Sequence, residues 1–157
     1  MIEATIASAI LLIVAIGLLP MFTLAISNNQ QGRDSMEITN QARSELERLF
    51  QLGFADPELS VPAGETQLRV EAYFTNDQEG WVPAAAYDGQ GFVFHRIVTV
   101  RQFEDSALDD GLLHPDEAIA GAGAAPVHFK EILVEVESAG SIGAPPRQVA
   151  LRGVRAV

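Results

Sequence analysis

The sequence predicts an α+β protein. One long N-terminal helix, half membrane-spanning and half amphipathic, packs on a small antiparallel sheet of about four strands. Three observations predict it. Ala4 to Ile26 carries no ionisable side chain. Ile38, Ala42, Leu46 and Leu49 then recur at helical spacing, with Phe50 on the same stripe. Four later segments alternate apolar and polar residues between Gly- and Pro-rich breaks, as half-buried strands do. The chain of 157 residues divides on this reading into a membrane or filament-core helix, 1–27, and one globular domain, 28–157. That domain comprises an amphipathic helix over 28–52 and a sheet region over 58–157.

Met1 to Ile26 holds 20 apolar residues and a single charge, Glu3. As a helix, Ala4 to Ile26 covers roughly 35 Å, against roughly 30 Å for a bilayer core. A cleaved signal peptide is the alternative, with Thr23-Leu24-Ala25 as its cleavage site. No Lys or Arg precedes the apolar run, however, and the run exceeds a usual signal core. A single-span anchor fits better. A carboxylate at the edge of a span is costly and usually has a partner. In an isolated anchor Glu3 would sit solvated at headgroup depth. In an assembly it would meet a positive group of another chain. Pro20 removes a backbone donor and disturbs the preceding turn, so the helix is expected to kink or loosen near Gly17. Membrane helices tolerate both residues better than soluble ones do.

Past the apolar run, Arg33, Glu37, Gln41, Arg43, Glu45, Glu47 and Arg48 occupy the faces away from the stripe. Gly53 is the expected C-cap, and Asp56-Pro57 stops the helix. Unbroken from Glu3 to Leu52, such a helix is roughly 75 Å long. The predicted strands are Thr66 to Phe74, Phe92 to Phe103, His128 to Val136 and Gln148 to Val157. In the last, alternation slips at Gly153, which suggests a bulge. Turns are expected at Asp77 to Gly80, Asp88 to Gly91, Gly121 to Pro126 and Ser138 to Pro146. Trp81-Val82-Pro83 reads either as an exposed aromatic on a loop or, the favoured reading, as a plug whose ring covers the sheet and joins the core. The helix stripe is expected to cover one face of the sheet.

Composition narrows the function. Ten Lys and Arg stand against 21 Asp and Glu, for a net charge of −11. That argues against a nucleic-acid partner and against electrostatic docking to anionic lipid. The absence of cysteine excludes disulfides, thiolate catalysis and cysteine-ligated zinc. His95, His114 and His128 lack metal-ligand spacing, and His95 and His128 fall in predicted strands. Lys130 is the only lysine and belongs to no phosphate loop, and no nucleophile elbow occurs. No enzymatic activity and no cofactor are expected. The acidic run Glu104-Asp105, Asp109-Asp110, Asp116-Glu117 lacks the ligand spacing of a calcium loop and reads as a solvated segment.

The run Met1-Ile2-Glu3-Ala4-Thr5-Ile6-Ala7-Ser8-Ala9-Ile10-Leu11-Leu12-Ile13-Val14-Ala15-Ile16-Gly17-Leu18-Leu19-Pro20 resembles the N-terminal segment of type IV pilins and type II secretion pseudopilins. In that family a prepilin peptidase removes a short basic leader ending in Gly. The mature chain has Glu at its fifth position, often with Pro seventeen residues later, and Glu3 and Pro20 have that separation. The stretch Asn40-Gln41-Ala42-Arg43-Ser44-Glu45-Leu46-Glu47-Arg48-Leu49 resembles the helix end of minor pilins and pseudopilins. The last two strands, ending in Arg152-Gly153-Val154-Arg155, resemble their final hairpin. The resemblance covers the first fifty residues well and the rest loosely. Glu3 stands third rather than fifth and no leader precedes it, as expected of a chain that starts two residues inside the mature protein or was assigned too late a start.

The resemblance implies a filament subunit. It would span the inner membrane once, surrounded by lipid, and then polymerise into a periplasmic or extracellular filament serving adhesion or protein transport. Its partners would be like or different pilin subunits, the membrane platform of the assembly system and the prepilin peptidase. Glu3 would neutralise a neighbour's N-terminal amine, which the family methylates. Gly17 and Pro20 would let the rod stretch during packing. Some pseudopilins hold calcium in a C-terminal loop, which would correspond here to the acidic run. The helix end and the final hairpin favour a minor pilin or pseudopilin. The alternative is a single-span periplasmic binding or accessory domain that does not polymerise. A membrane-tethered hydrolase is disfavoured by the missing catalytic constellation.

Overall fold

The structure, a computed structural model, describes residues 2–75, 77, 80–108, 111–121, 123, 126–139 and 146–157. Helix α1 runs Ile2–Gln51, and five strands follow: β1 (Gln67–Phe74), β2 (Trp81–Pro83), β3 (Phe94–Phe103), β4 (Phe129–Ser138) and β5 (Arg147–Ala156). The chain forms two compact units, Met1–Met36 and Glu37–Val157. The sheet is antiparallel throughout, in the order β2-β1-β3-β4-β5. This is the predicted α+β class. The four predicted strands match β1, β3, β4 and β5 to within two residues at each end. Parts of three predicted turns lie outside the described residues: Gln78 and Glu79, Ala122, Ala124 and Ala125, and 140–145.

The fifth strand is Trp81-Val82-Pro83, where no strand is expected from the sequence. It pairs with the end of β1, Phe74 opposite Trp81 and Ala72 opposite Pro83. Three residues are too few to display an alternation, and Pro83 is tolerated because β2 is an edge strand. Trp81 does pack inward. Its ring lies edge-on to Phe74 at 5.8 Å, and the Arg96 guanidinium sits over it at 4.5 Å. The other edge, β5, has ten residues and pairs with β4 without interruption.

Strand alternation puts Val98, Val100, Ile132, Val134 and Val136 on one sheet face, where Ile38, Ala42 and Leu49 of the helix cover them. Burying each of the Val, Ile and Leu side chains stabilises by about 1.5–3 kcal/mol. Two expectations about this face need correction. Glu45 does not lie on a solvent face but is buried at 7 % exposure. Its carboxylate bridges Arg48 (Nη2 to Oε1, 2.9 Å) and Arg96 (Nη1 to Oε2, 2.8 Å), so the charge is paired on two sides. Gly153 is not a bulge: it sits in unbroken register opposite Ile132. Alternation looks broken there because a side chain is missing. A Cβ on Gly153 would come within 2.5 Å of the Phe50 ring, so the helix occupies that position.

The helix end is fastened from the sheet. Arg155 Nη1 of β5 donates to the carbonyls of Phe50, at 3.2 Å, and Leu52. Lys130 Nζ of β4 donates to Phe54 O at 2.7 Å and Leu59 O at 2.8 Å. Arg155 thereby meets an orphan carbonyl at the negative end of the helix dipole, and Lys130 holds the segment that follows the helix. The opposite sheet face is not wholly solvated. The segment after β3 folds into short 3-10 turns, and Ala107 and Leu113 bury with Phe103 in a second small core.

Candidate functional site

In the first unit, taken by itself, every described residue from Ile2 to Ile26 is exposed. The most apolar window has a mean hydropathy of 2.7, and none of it is buried. Ile, Leu and Ala dominate the segment. The side-chain hydroxyls turn inward: Ser8 Oγ donates to Ala4 O at 2.7 Å and Thr23 Oγ1 to Leu19 O at 2.8 Å. A helix apolar all round, with its hydroxyls bonded back to its own carbonyls, suits an environment without water. It is long and apolar enough to cross a membrane.

Glu3, Gly17 and Pro20 all lie on this helix, and it does not bring them together. Glu3 and Pro20 are roughly 26 Å apart along the axis, at ~1.5 Å per residue. Glu3 is exposed in the first turn, where an acid complements the helix dipole. Pro20 offers no N–H to the Ile16 carbonyl, yet the residues around it stay helical. A Cβ on Gly17 would meet nothing within 4 Å, so within this chain Gly17 is a notch in the helix surface.

In the second unit, ion pairs hold the fold. Glu131 is 3 % exposed and pairs with Arg101 at 2.9 Å and with Arg152, whose Nη2 also donates to Leu113 O at 3.0 Å. Hydrogen bonding to Glu45 raises the Arg48 pKa, outweighing its desolvation. Burial lowers that of Arg96, against the pull of Glu45. Burial likewise lowers that of Lys130, with the charge of Arg155 adding to it. Each of these cations is held by carboxylates or backbone carbonyls of the fold.

The sequence reading missed an aromatic column on the second sheet face. Tyr73 and His95 are directly opposite in the β1–β3 register. Their rings stack at 4.4 Å, and Tyr87 stacks on the other side of Tyr73 at 4.1 Å. Glu71 Oε2 is 3.4 Å from His95 Nε2, though out of line for a hydrogen bond, and Glu137 lies 4.0 Å from Nδ1. Strand register was the available signal, since it puts odd-numbered residues of both strands on one face. His114 precedes a 3-10 turn, and His128 lies just before β4, where its backbone N–H donates to Phe103 O. Asp109 and Asp110 of the acidic run lie outside the described residues. Among the described residues no group of three or more His, Asp or Glu is arranged to hold a metal ion.

No protein-family model matches the chain, and neither a curated protein nor a solved structure matches it.

Proposed function

We propose that the chain is a structural, non-enzymatic subunit of a filament of the type IV pilin or type II secretion pseudopilin kind, held in the membrane by its N-terminal helix before assembly. The carrying observation is the helix from Ile2 to Ile26: exposed and apolar on all sides, with a lone carboxylate at its start. Such a rod is stable in lipid. Outside lipid it needs a cover, and a bundle of identical rods supplies one. Glu3 would then be the one charge in a dry bundle, where a lone carboxylate costs several kcal/mol. A neighbour's N-terminal ammonium cancels it and fixes the axial register. The helix-on-sheet architecture of the second unit supports the reading, since it gives the filament a water-facing, acidic outer layer. Glu104, Asp105, Asp116 and Glu117 belong to that layer.

Glu3→Leu is the test. The variant is expected to insert in the membrane at normal levels and to form no filaments on electron microscopy; normal filaments would overturn the reading. The cysteine-free chain makes a second measurement clean. A single cysteine at Ile10 or Val14 is expected to crosslink rod to rod in the membrane before extrusion. A purely monomeric result favours the non-polymerising anchored domain.

A further inference from the structure

The two edges of the sheet are unequally protected. β2 offers three residues, one of them Pro83, which cannot donate to a further strand. β5 offers ten, with no proline and no bulge, in unbroken register with β4. Just past the paired residues, Val157 N–H donates to His128 O, so the odd-numbered residues of β5 bond to β4. The even-numbered ones, Gln148, Ala150, Arg152 and Val154, therefore turn their N–H and C=O groups outwards. All four are exposed, and among the described residues no backbone hydrogen bond reaches their outer side. Such an edge is a template for another strand. On the sheet face opposite the helix, Arg152 and Val154 border a groove of about 420 Å³ with Leu108, Gly111, Leu112 and Leu113. Its rim is apolar and open, with Leu112 61 % and Val154 46 % exposed.

Charge identifies the occupant. β5 carries Arg147, Arg152 and Arg155 and no acid, in a chain of net charge −11. Arg152 shares the carboxylate of Glu131 with Arg101, which leaves one positive charge unbalanced there. Towards the start of β5 the sign reverses, because Glu137 and Glu135 of β4 stand opposite Gln148 and Ala150. We propose that β5 receives an extended segment of a different protein as a sixth, antiparallel strand, with an acidic residue opposite Arg152 and an aliphatic one opposite Val154. Main-chain hydrogen bonds hold the added strand, and the groove takes its aliphatic side chain. Antiparallel addition continues the pattern of the whole sheet. A second copy of this chain does not fit through β5 itself, since two such strands side by side gather arginines and no acid. The inference uses the Glu37–Val157 unit alone and is independent of the filament reading.

The experiment uses the full chain in lipid nanodiscs, followed by NMR and titrated with the acetylated, amidated peptide Thr-Val-Thr-Glu-Thr-Val-Thr. Saturable shifts at the amides of Gln148, Ala150, Arg152 and Val154 are expected. In an antiparallel strand the N–H groups of the peptide's Glu and Val face β5, and those of its Thr face away. N-methylation of Glu and Val is therefore expected to abolish binding, and N-methylation of Thr to change it by less than about threefold. Replacing the peptide's Glu by Lys is expected to weaken binding about tenfold. Ala150→Pro removes one outward donor at a position where an edge strand accepts proline. It is expected to keep the circular dichroism of the wild type and to bind the peptide about fivefold more weakly. The proposal fails if no saturable shift occurs, if the two methylated peptides bind alike, or if the Lys peptide binds as tightly as the Glu peptide. It also fails if the same amides shift when the protein is concentrated without peptide, since a second copy would then be the occupant.

Discussion

Glu45 occupies a place in the helix stripe that an apolar residue would normally fill. Ile38, Ala42, Glu45 and Leu49 are the buried positions, spaced four, three and four apart. Spacing alone therefore favours position 45, whereas residue type favours Leu46, which is only partly buried. The sequence could not show that Arg48, a turn away, and Arg96, on a strand, would both reach the carboxylate. Glu45→Leu is expected to destabilise by about 3 kcal/mol, because Arg96 is left desolvated and unpaired. The double variant with Arg96→Leu should recover most of that loss in a denaturant-unfolding cycle. Lys130 makes a second residue-scale prediction. Its folded pKa lies below the ordinary 10.5 because of burial and Arg155. Over the range between the two values the unfolded chain holds more protons than the folded one, so stability rises with pH there. Below that range Lys130 stays charged at its full cost. Thermal unfolding of the wild type should therefore gain on Lys130→Met as pH climbs towards 10.5.

At the scale of elements, the sequence displayed what is periodic. β1, β3, β4 and β5 each carry an alternation long enough to see, and the helix stripe could be read at its apolar positions. β2 is too short for that. The second small core was hidden for another reason: Ala107 and Leu113 are scattered through an acidic segment, and only β3 and β4 beneath them reveal a surface to bury against. Gly153 looked like an irregularity along its own strand, and its cause lies in the helix above it. Pro20 belongs to this scale because its effect is on the helix rather than on a contact. Pro20→Ala restores an N–H to the Ile16 carbonyl and removes a penalty of about 3 kcal/mol. Amide exchange around Gly17 in detergent is expected to slow. An unchanged exchange rate would mean that this turn is not a weak point.

For the molecule as a whole, the acidity belongs to the globular part, and the N-terminal rod contributes one acid, Glu3. The Glu37–Val157 unit has its own core, ion pairs and helix end. A chain beginning at Asn28 is therefore expected to be folded and monomeric by circular dichroism and size-exclusion chromatography, and aggregation would count against that independence. The apolar rod and its lone acid were plain in the sequence. The aromatic column was not, since Tyr87 meets Tyr73 only when the segment after β2 folds back. The fastening of the helix end also has a consequence in time. Arg155 follows Phe50 by 105 residues. During synthesis the helix leaves the ribosome long before the arginine that holds its end, at about 5–20 residues per second. For several seconds its final carbonyls depend on water or a chaperone, so a nascent chain stalled before β5 should be far more open to proteases than a finished one.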